Sequence, residues 1–331
     1  MAWFNNEEGR WITTKTGKHV FIKNGQSIKE ALGEAFGEEF TYDTDDEFDD
    51  GDFRGLDIDW DSMDQDLEPE EVNLKVRKII LQKPSSGGYS HDLKAEFNDM
   101  LNYPWQNDKI NNMINKQVND KNKLPNGIKL KDTKTVSRFK QQDRILLDIS
   151  EGDSIIRIAQ KYFHESGHCS DWISVNKFQS STYVSKKYNK TLSDMLKEEI
   201  NSVPEDELVN AYYEMDGRRN ALWDMYLNDE IHWNEYEERY TCLAKAQTDL
   251  ADIIQGQKGD DFVLNYFKFI PHSPRNKTSY YNQGNFLAGA EAFAEITCHL
   301  ATDKRNYFIN VMKNFIPKTL EIYNELLEEL Q

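Results

Sequence analysis

Apolar side chains at Ile155, Ile156, Ile158, Ala159, Tyr162 and Phe163 fall at helical spacing, so the segment after Asp153 has one flank suited to a core. Asp153 or Ser154 is the predicted start of this helix. Residues 143–149, directly before it, read as a buried strand. Upstream, 74–82 is a predicted strand, 91–119 is mostly helical with a break at Pro104, and 123–132 is a loop carrying Pro, Gly and Asn. Downstream, 190–255 is helical in three stretches, near 192–201, 205–225 and 228–255, and rich in Trp, Tyr and charged residues. Residues 262–270 read as a further strand, followed by a polar loop from His272 to Asn285. The last segment, 286–330, reads as two helices separated near 304–306, with Pro317 breaking the second.

The N-terminal pattern is different. Residues 10–24 alternate as two short strands around a Thr16-Gly17 turn, and 26–37 as a short helix. An isolated hairpin is marginal in water, so this one is expected to dock on something. The chain therefore divides into a hairpin or docking segment at 1–37, a linker at 38–71 and a globular domain at 72–331 with a helical insertion at about 190–255. The expected class is α+β: a small mixed sheet packed on one helix, with a mostly helical C-terminal half.

Charge sharpens the linker. Residues 38–71 hold 17 acidic side chains and one basic one, Arg54, and so account for nearly all of the net charge of -18. Such a segment reads as a disordered acidic linker, and it would repel nucleic acid. No apolar run is long enough to span a bilayer. The first residues lack a basic region followed by an apolar one, so no secretory leader is expected. Cys169, Cys242 and Cys298 are odd in number and scattered, which argues against a disulfide framework; they read as buried apolar residues, with thiolate ligation of a metal the other reading.

The predicted helix runs into His164-Glu165-Ser166-Gly167-His168, an H-E-x-x-H motif. Residues four apart share a helix face, so the two imidazoles can hold one zinc ion and Glu165 can reach a bound water. A catalytic zinc needs a third protein ligand. Glu291, Glu295 and His299 stand at i, i+4 and i+8 on a later helix otherwise filled by Ala and Phe. That carboxylate stripe looks like a helix packed tightly against a metal site, with Glu291 or His299 as the ligand. His19, His91, His232 and His272 read as surface or satisfied histidines.

Glu291-Ala292-Phe293-Ala294-Glu295, downstream of the H-E-x-x-H motif, resembles the E-x-F-A-E segment of the lethal-factor-like zinc metalloproteases, the group that includes the Pro-Pro endopeptidases. Gly167 and Asp171 agree with that family's motif, and Lys313 to Thr319 looks like its K-N-x-P-K-T stretch. The resemblance covers about 143–331. It implies a zincin-like fold, a Zn2+ cofactor and hydrolysis of a protein or peptide substrate. Glu291 would be the third ligand, and Glu295 a carboxylate that orients a ligand His. Tyr280 or Tyr281 would stabilise the oxyanion, the choice between them left open. Gly9 to Thr14 with Gly17 to Ile22 resembles a short motif of phage head and prophage structural proteins, which implies a phage or mobile-element origin and a particle or other protein as partner. The expected locations are the cytoplasm or a virion, with delivery into a host cell if the protein is a toxin or effector. The alternative function is a non-catalytic accessory protein of a phage or mobile element, with a vestigial or structural zinc site.

Overall fold

The computed structural model describes the backbone of residues 2–4, 7–13 and 19–23, and residues 73–331 apart from 83–88, 90, 106, 134–135, 174, 176, 273–279 and 282–285. The acidic segment 38–71, the 26–37 helix and the Thr16-Gly17 turn lie outside the described residues. The class is mixed α+β, with ten helices and a small mixed sheet among the described residues. Contacts divide the chain into two units, one of residues 1–55 with 216–240, the other of 56–215 with 241–331.

In the first unit, the strands β1 (Ala2–Phe4), β2 (Glu7–Thr13) and β3 (His19–Lys23) form an antiparallel sheet in that order. Arg10 pairs with Ile22 and Ile12 with Val20, so the expected two-stranded ribbon gains a third strand at its edge. The same unit holds the adjoining ends of two long helices, and here Trp223, Tyr226, Trp233 and Tyr236 stack in a cluster with ring centroids 5.2–5.7 Å apart. Arg219 places its guanidinium 4.7 Å from the Tyr240 ring centroid. Packing accounts for these aromatic residues.

The second unit is built on β4 (Ile79–Leu81), β5 (Ile128–Lys131), β6 (Arg138–Lys140) and β7 (Arg144–Asp148), ordered β4-β5-β7-β6. The first three in that order run parallel, and β6 is an antiparallel edge strand. Two helices, α1 (Leu93–Asn102) and α2 (Asp108–Val118), make the crossover from β4 to β5. Ile128, Leu130, Ile145 and Leu147 are fully buried, as expected of strands in a covered parallel sheet.

α3 (Ile155–Asp171) follows β7, and the Ser154 hydroxyl caps it by accepting from the Arg157 N–H. Asp153 instead accepts from the Ser150 N–H and pairs with Lys161. Tyr162 and Phe163 turn into the core, meeting Phe97 and Trp105 edge to face at 5.6 and 5.7 Å. A short hairpin, β8 (Trp172–Ile173) with β9 (Lys177–Phe178), ends the α3 segment.

The helical half comprises α4 (Leu192–Ser202), α5 (Glu205–Leu227), α6 (Trp233–Lys258), α7 (Asp260–Phe267), α8 (Phe286–Thr302), α9 (Tyr307–Phe315) and α10 (Pro317–Leu330). Pro317 opens α10 at a position where its missing N–H costs nothing, and α8 ends before Lys304, as expected. Three expectations fail. Residues 123–132 are not all loop: Ile128–Lys131 forms the inner strand β5, its alternating Ile128 and Leu130 fully buried. Residues 262–270 are not a strand: α7 covers most of them, burying Phe262, Val263 and Phe267 on one side and ending at Lys268 in a left-handed conformation. A short apolar run does not distinguish strand from helix by period, and Asp260 and Asp261 favour a helix start. Within 74–82 only Ile79–Leu81 pairs as a strand. No helix among the described residues is long and apolar enough to cross a membrane.

Candidate metal centre

The motif occupies the last two turns of α3, and the chief packing partner of α3 is α8. That pairing brings the sequence candidates together. His164 and His168 stand one turn apart with their Nε2 atoms 3.2 Å from each other and their rings nearly perpendicular. Glu291 of α8 directs Oε2 at both, 3.4 Å from His164 Nε2 and 3.2 Å from His168 Nε2. The hydroxyl of Tyr280 donates to the other oxygen, Oε1, at 2.6 Å.

Close approach of the helices depends on Gly167. A Cβ there would stand 2.8 Å from the Cα of Ala294 and 3.3 Å from the Cβ of Thr297. Ala292 and Ala294, both fully buried, carry little bulk on the facing helix. The small residues seen in the sequence are what let a carboxylate on α8 reach two imidazoles on α3.

The electrostatics follow from burial. Burial favours neutral groups, but the Glu291 carboxylate outweighs it and pushes the His168 imidazole up to about 9. Conversely the two imidazoles hold Glu291 well below the usual carboxylate range despite its burial. A cation binding at these three groups displaces a proton and takes over its role. Glu165, only 6% exposed, has its carboxyl raised by burial against the pull of His164 and His168. It lines, with His164, a cavity of about 560 Å³ that also reaches Asp252, His272 and Glu295. The set of two imidazoles and one carboxylate could hold zinc: the donor atoms converge, the Oε2 atom of Glu291 is buried without a hydrogen-bond partner, and such a set is the usual one at three-ligand zinc sites.

The other candidates fall as follows. Glu295 is 1% exposed, one turn beyond Glu291, beside Asp249, Asp252 and Lys245. No hydrogen bond joins it to His164 or His168 among the described residues, and the Nδ1 atom of His164 is itself without a partner there. Burial and the neighbouring carboxylates hold the Glu295 carboxyl well above its ordinary range. His299 turns away from the centre, with Nε2 2.9 Å from Asp249 and its ring stacked on Phe308. Tyr281 lies against Gly256 and lines a second cavity, of about 940 Å³, with Phe286 and Ser193. All three cysteines are buried and free, none among the converging donors. Asp171, past the motif, accepts from the N–H and the hydroxyl of Ser180, both at 2.6 Å, and burial pushes its carboxyl up to about 7.

The sequence singled out nothing at Asp252, and it read His272 only as a surface or satisfied histidine. The imidazole Nδ1 of His272 is 2.6 Å from Asp252 Oδ1, and its ring stacks on Tyr280 with centroids 4.6 Å apart. Gln255 fastens the same residue through its backbone, accepting from the His272 N–H and donating to its carbonyl, both at 2.9 Å. Burial opposes protonation of this imidazole, but Asp252 raises it to about 9. These residues come from α6 and a loop and share no spacing that a sequence displays. No family model, no curated protein and no solved structure matches this chain.

Proposed function

We propose that this protein is a zinc-dependent endopeptidase of zincin-like architecture, acting on protein or peptide substrates. The observation that carries the reading is the convergence of His164, His168 and Glu291, from two helices, beside the buried carboxylate of Glu165. His164, His168 and Glu291 would hold the ion. When bound it supplies a Lewis acid that polarises the scissile carbonyl and makes water acidic near neutral pH.

The chain's own groups supply the rest. Glu165 takes a proton from the attacking water and passes it to the leaving amine; burial, by raising its carboxyl, suits it to both acts. Tyr280 offers a hydroxyl at the same centre, held in place by Glu291 and by the His272 ring, and is the donor of choice toward the developing oxyanion. Tyr281 packs its ring on Gly256 with its buried hydroxyl beside Asp252, and makes no hydrogen bond to Glu291 among the described residues. The edge strand β6 lies along α3, and the backbone N–H of Phe139 faces Glu165, so an extended peptide added to that edge would run past the catalytic carboxylate.

The test is metal analysis joined to proteolysis of an unstructured protein substrate by wild type and Glu165→Gln. Near-stoichiometric zinc in both, with activity roughly 10²–10⁴-fold lower in the variant, is the expected result. Absence of zinc from the wild type, or equal activity in the two proteins, would overturn the proposal.

A further inference from the structure

We infer that a second divalent-cation site adjoins the first, formed by Asp252, His272 and Glu291, with Glu291 shared between the two. This deepens the metal-centre reading and rests on it only for the other partners of Glu291. The three residues each offer a donor atom, and these atoms lie within 4.8 Å of one another. Two carboxylates and one imidazole suit borderline divalent ions such as zinc, manganese or cobalt.

The geometry is prepared rather than assembled on demand. Asp252 is fixed on α6 with its side chain 4% exposed, whereas the His272 side chain is 37% exposed and leaves an entry path. The two hydrogen bonds from Gln255 pin the backbone of His272, and Tyr280 supports the face of its ring. Glu291 has its oxygens on different duties: Oε2 faces His164 and His168, and Oε1 faces Tyr280. A carboxylate oxygen has two lone pairs, so Oε1 can accept from Tyr280 and still bind an ion.

Burial is the independent observation. Asp252, Glu291 and Glu295 crowd together, each at most 4% exposed. Oε2 of Glu295, beside Asp252, is buried with no hydrogen-bond partner among the described residues. An ordinary His272–Asp252 ion pair accounts for the 2.6 Å contact but not for the approach of the Glu291 carboxylate to the same pair.

The experiment is a zinc titration of the metal-stripped full chain, with bound ions counted by native mass spectrometry, for wild type and Asp252→Asn, His272→Asn and His168→Asn. Circular dichroism checks that each variant is folded, and having two variants on the second site guards against loss of either one. Expected are two ions on the wild type and one on every variant. A wild type with one ion, kept by Asp252→Asn and His272→Asn but lost by His168→Asn, overturns this inference and leaves the peptidase proposal standing. A single ion lost by Asp252→Asn and His272→Asn but kept by His168→Asn upholds this site and removes the other. Two ions retained by both Asp252→Asn and His272→Asn also overturn it.

Discussion

Gly167 of α3 rests directly on the backbone of Ala294 in α8, so that even one added methyl group would stand 2.8 Å from the Ala294 Cα. This contact sets the distance between the imidazole pair and Glu291. Gly167→Ala gains about 1 kcal/mol of helix propensity but forces two packed helices apart, at a cost of about 1–3 kcal/mol. The expected outcome is little net change or a modest loss in stability, together with a zinc affinity lower by roughly tenfold or more, because the ligands separate. Thermal unfolding of the metal-free protein and a competitive zinc titration check the two halves. Unchanged zinc affinity would show that the helix spacing does not govern the centre.

The two adjacent tyrosines separate by what their hydroxyls reach. Tyr280 donates to Oε1 of Glu291 at 2.6 Å, whereas the buried hydroxyl of Tyr281 lies beside Asp252 and its ring packs on Gly256. Tyr280→Phe is expected to lower kcat by roughly 10²–10³-fold, the usual consequence of removing one donor to an oxyanion. Tyr281→Phe should leave kcat near the wild-type value. Steady-state kinetics on one substrate with both variants decides, and equal losses would mean that the pair acts only through packing.

Much of the centre was legible before any coordinates, and for definable reasons. The periodic apolar flank, the cap at Ser154 and the i, i+4 pairing of His164 with His168 are local, and local patterns survive folding. Glu291 was legible because its stripe sits among alanines, whose smallness only a close helix contact explains. Asp252 and His272 were not, since they come from a helix and a loop and meet through one side-chain contact. Nor did spacing separate Tyr280 from Tyr281: neighbours on an irregular segment point according to tertiary packing. The strand expected at 262–270 failed because hydrophobic content without period fits α7 equally well.

Glu199 of α4 explains a second stretch of sequence. No side chain of α10 caps its own N-terminus; instead the Glu199 carboxylate accepts from the N–H groups of Lys318 and Thr319, at 3.0 and 2.8 Å, and from the Thr319 hydroxyl at 2.8 Å. The carboxylate is buried and meets the positive end of the helix dipole. Glu199→Ala leaves buried donors unmatched and is expected to cost about 2–3 kcal/mol, with Glu199→Gln costing about half as much because one acceptor oxygen remains. Urea unfolding measures both. A loss below about 0.5 kcal/mol in Glu199→Ala would mean that water replaces the cap.

His91 supplies a pH dependence well away from the candidate metal centre. Its Nδ1 lies 2.8 Å from Glu96 and its Nε2 3.3 Å from Asp132, linking the start of α1 to the end of β5. Burial opposes the charged ring, but the two carboxylates outweigh it and the imidazole is raised above its ordinary 6.5. A group with a raised folded-state pKa binds its proton more tightly in the native protein, so its contribution to stability is complete below the unfolded value. It is lost as pH rises from 6.5 through the folded value. Wild type and His91→Gln, unfolded in urea at several pH values from about 5.5 to about 9, should therefore differ most at the acid end and converge toward the alkaline end. Taking the difference between the two proteins cancels the other titrating groups, including those at the candidate metal centre. A gap that widens with pH would show that His91 is held neutral, with its two contacts made by the uncharged ring.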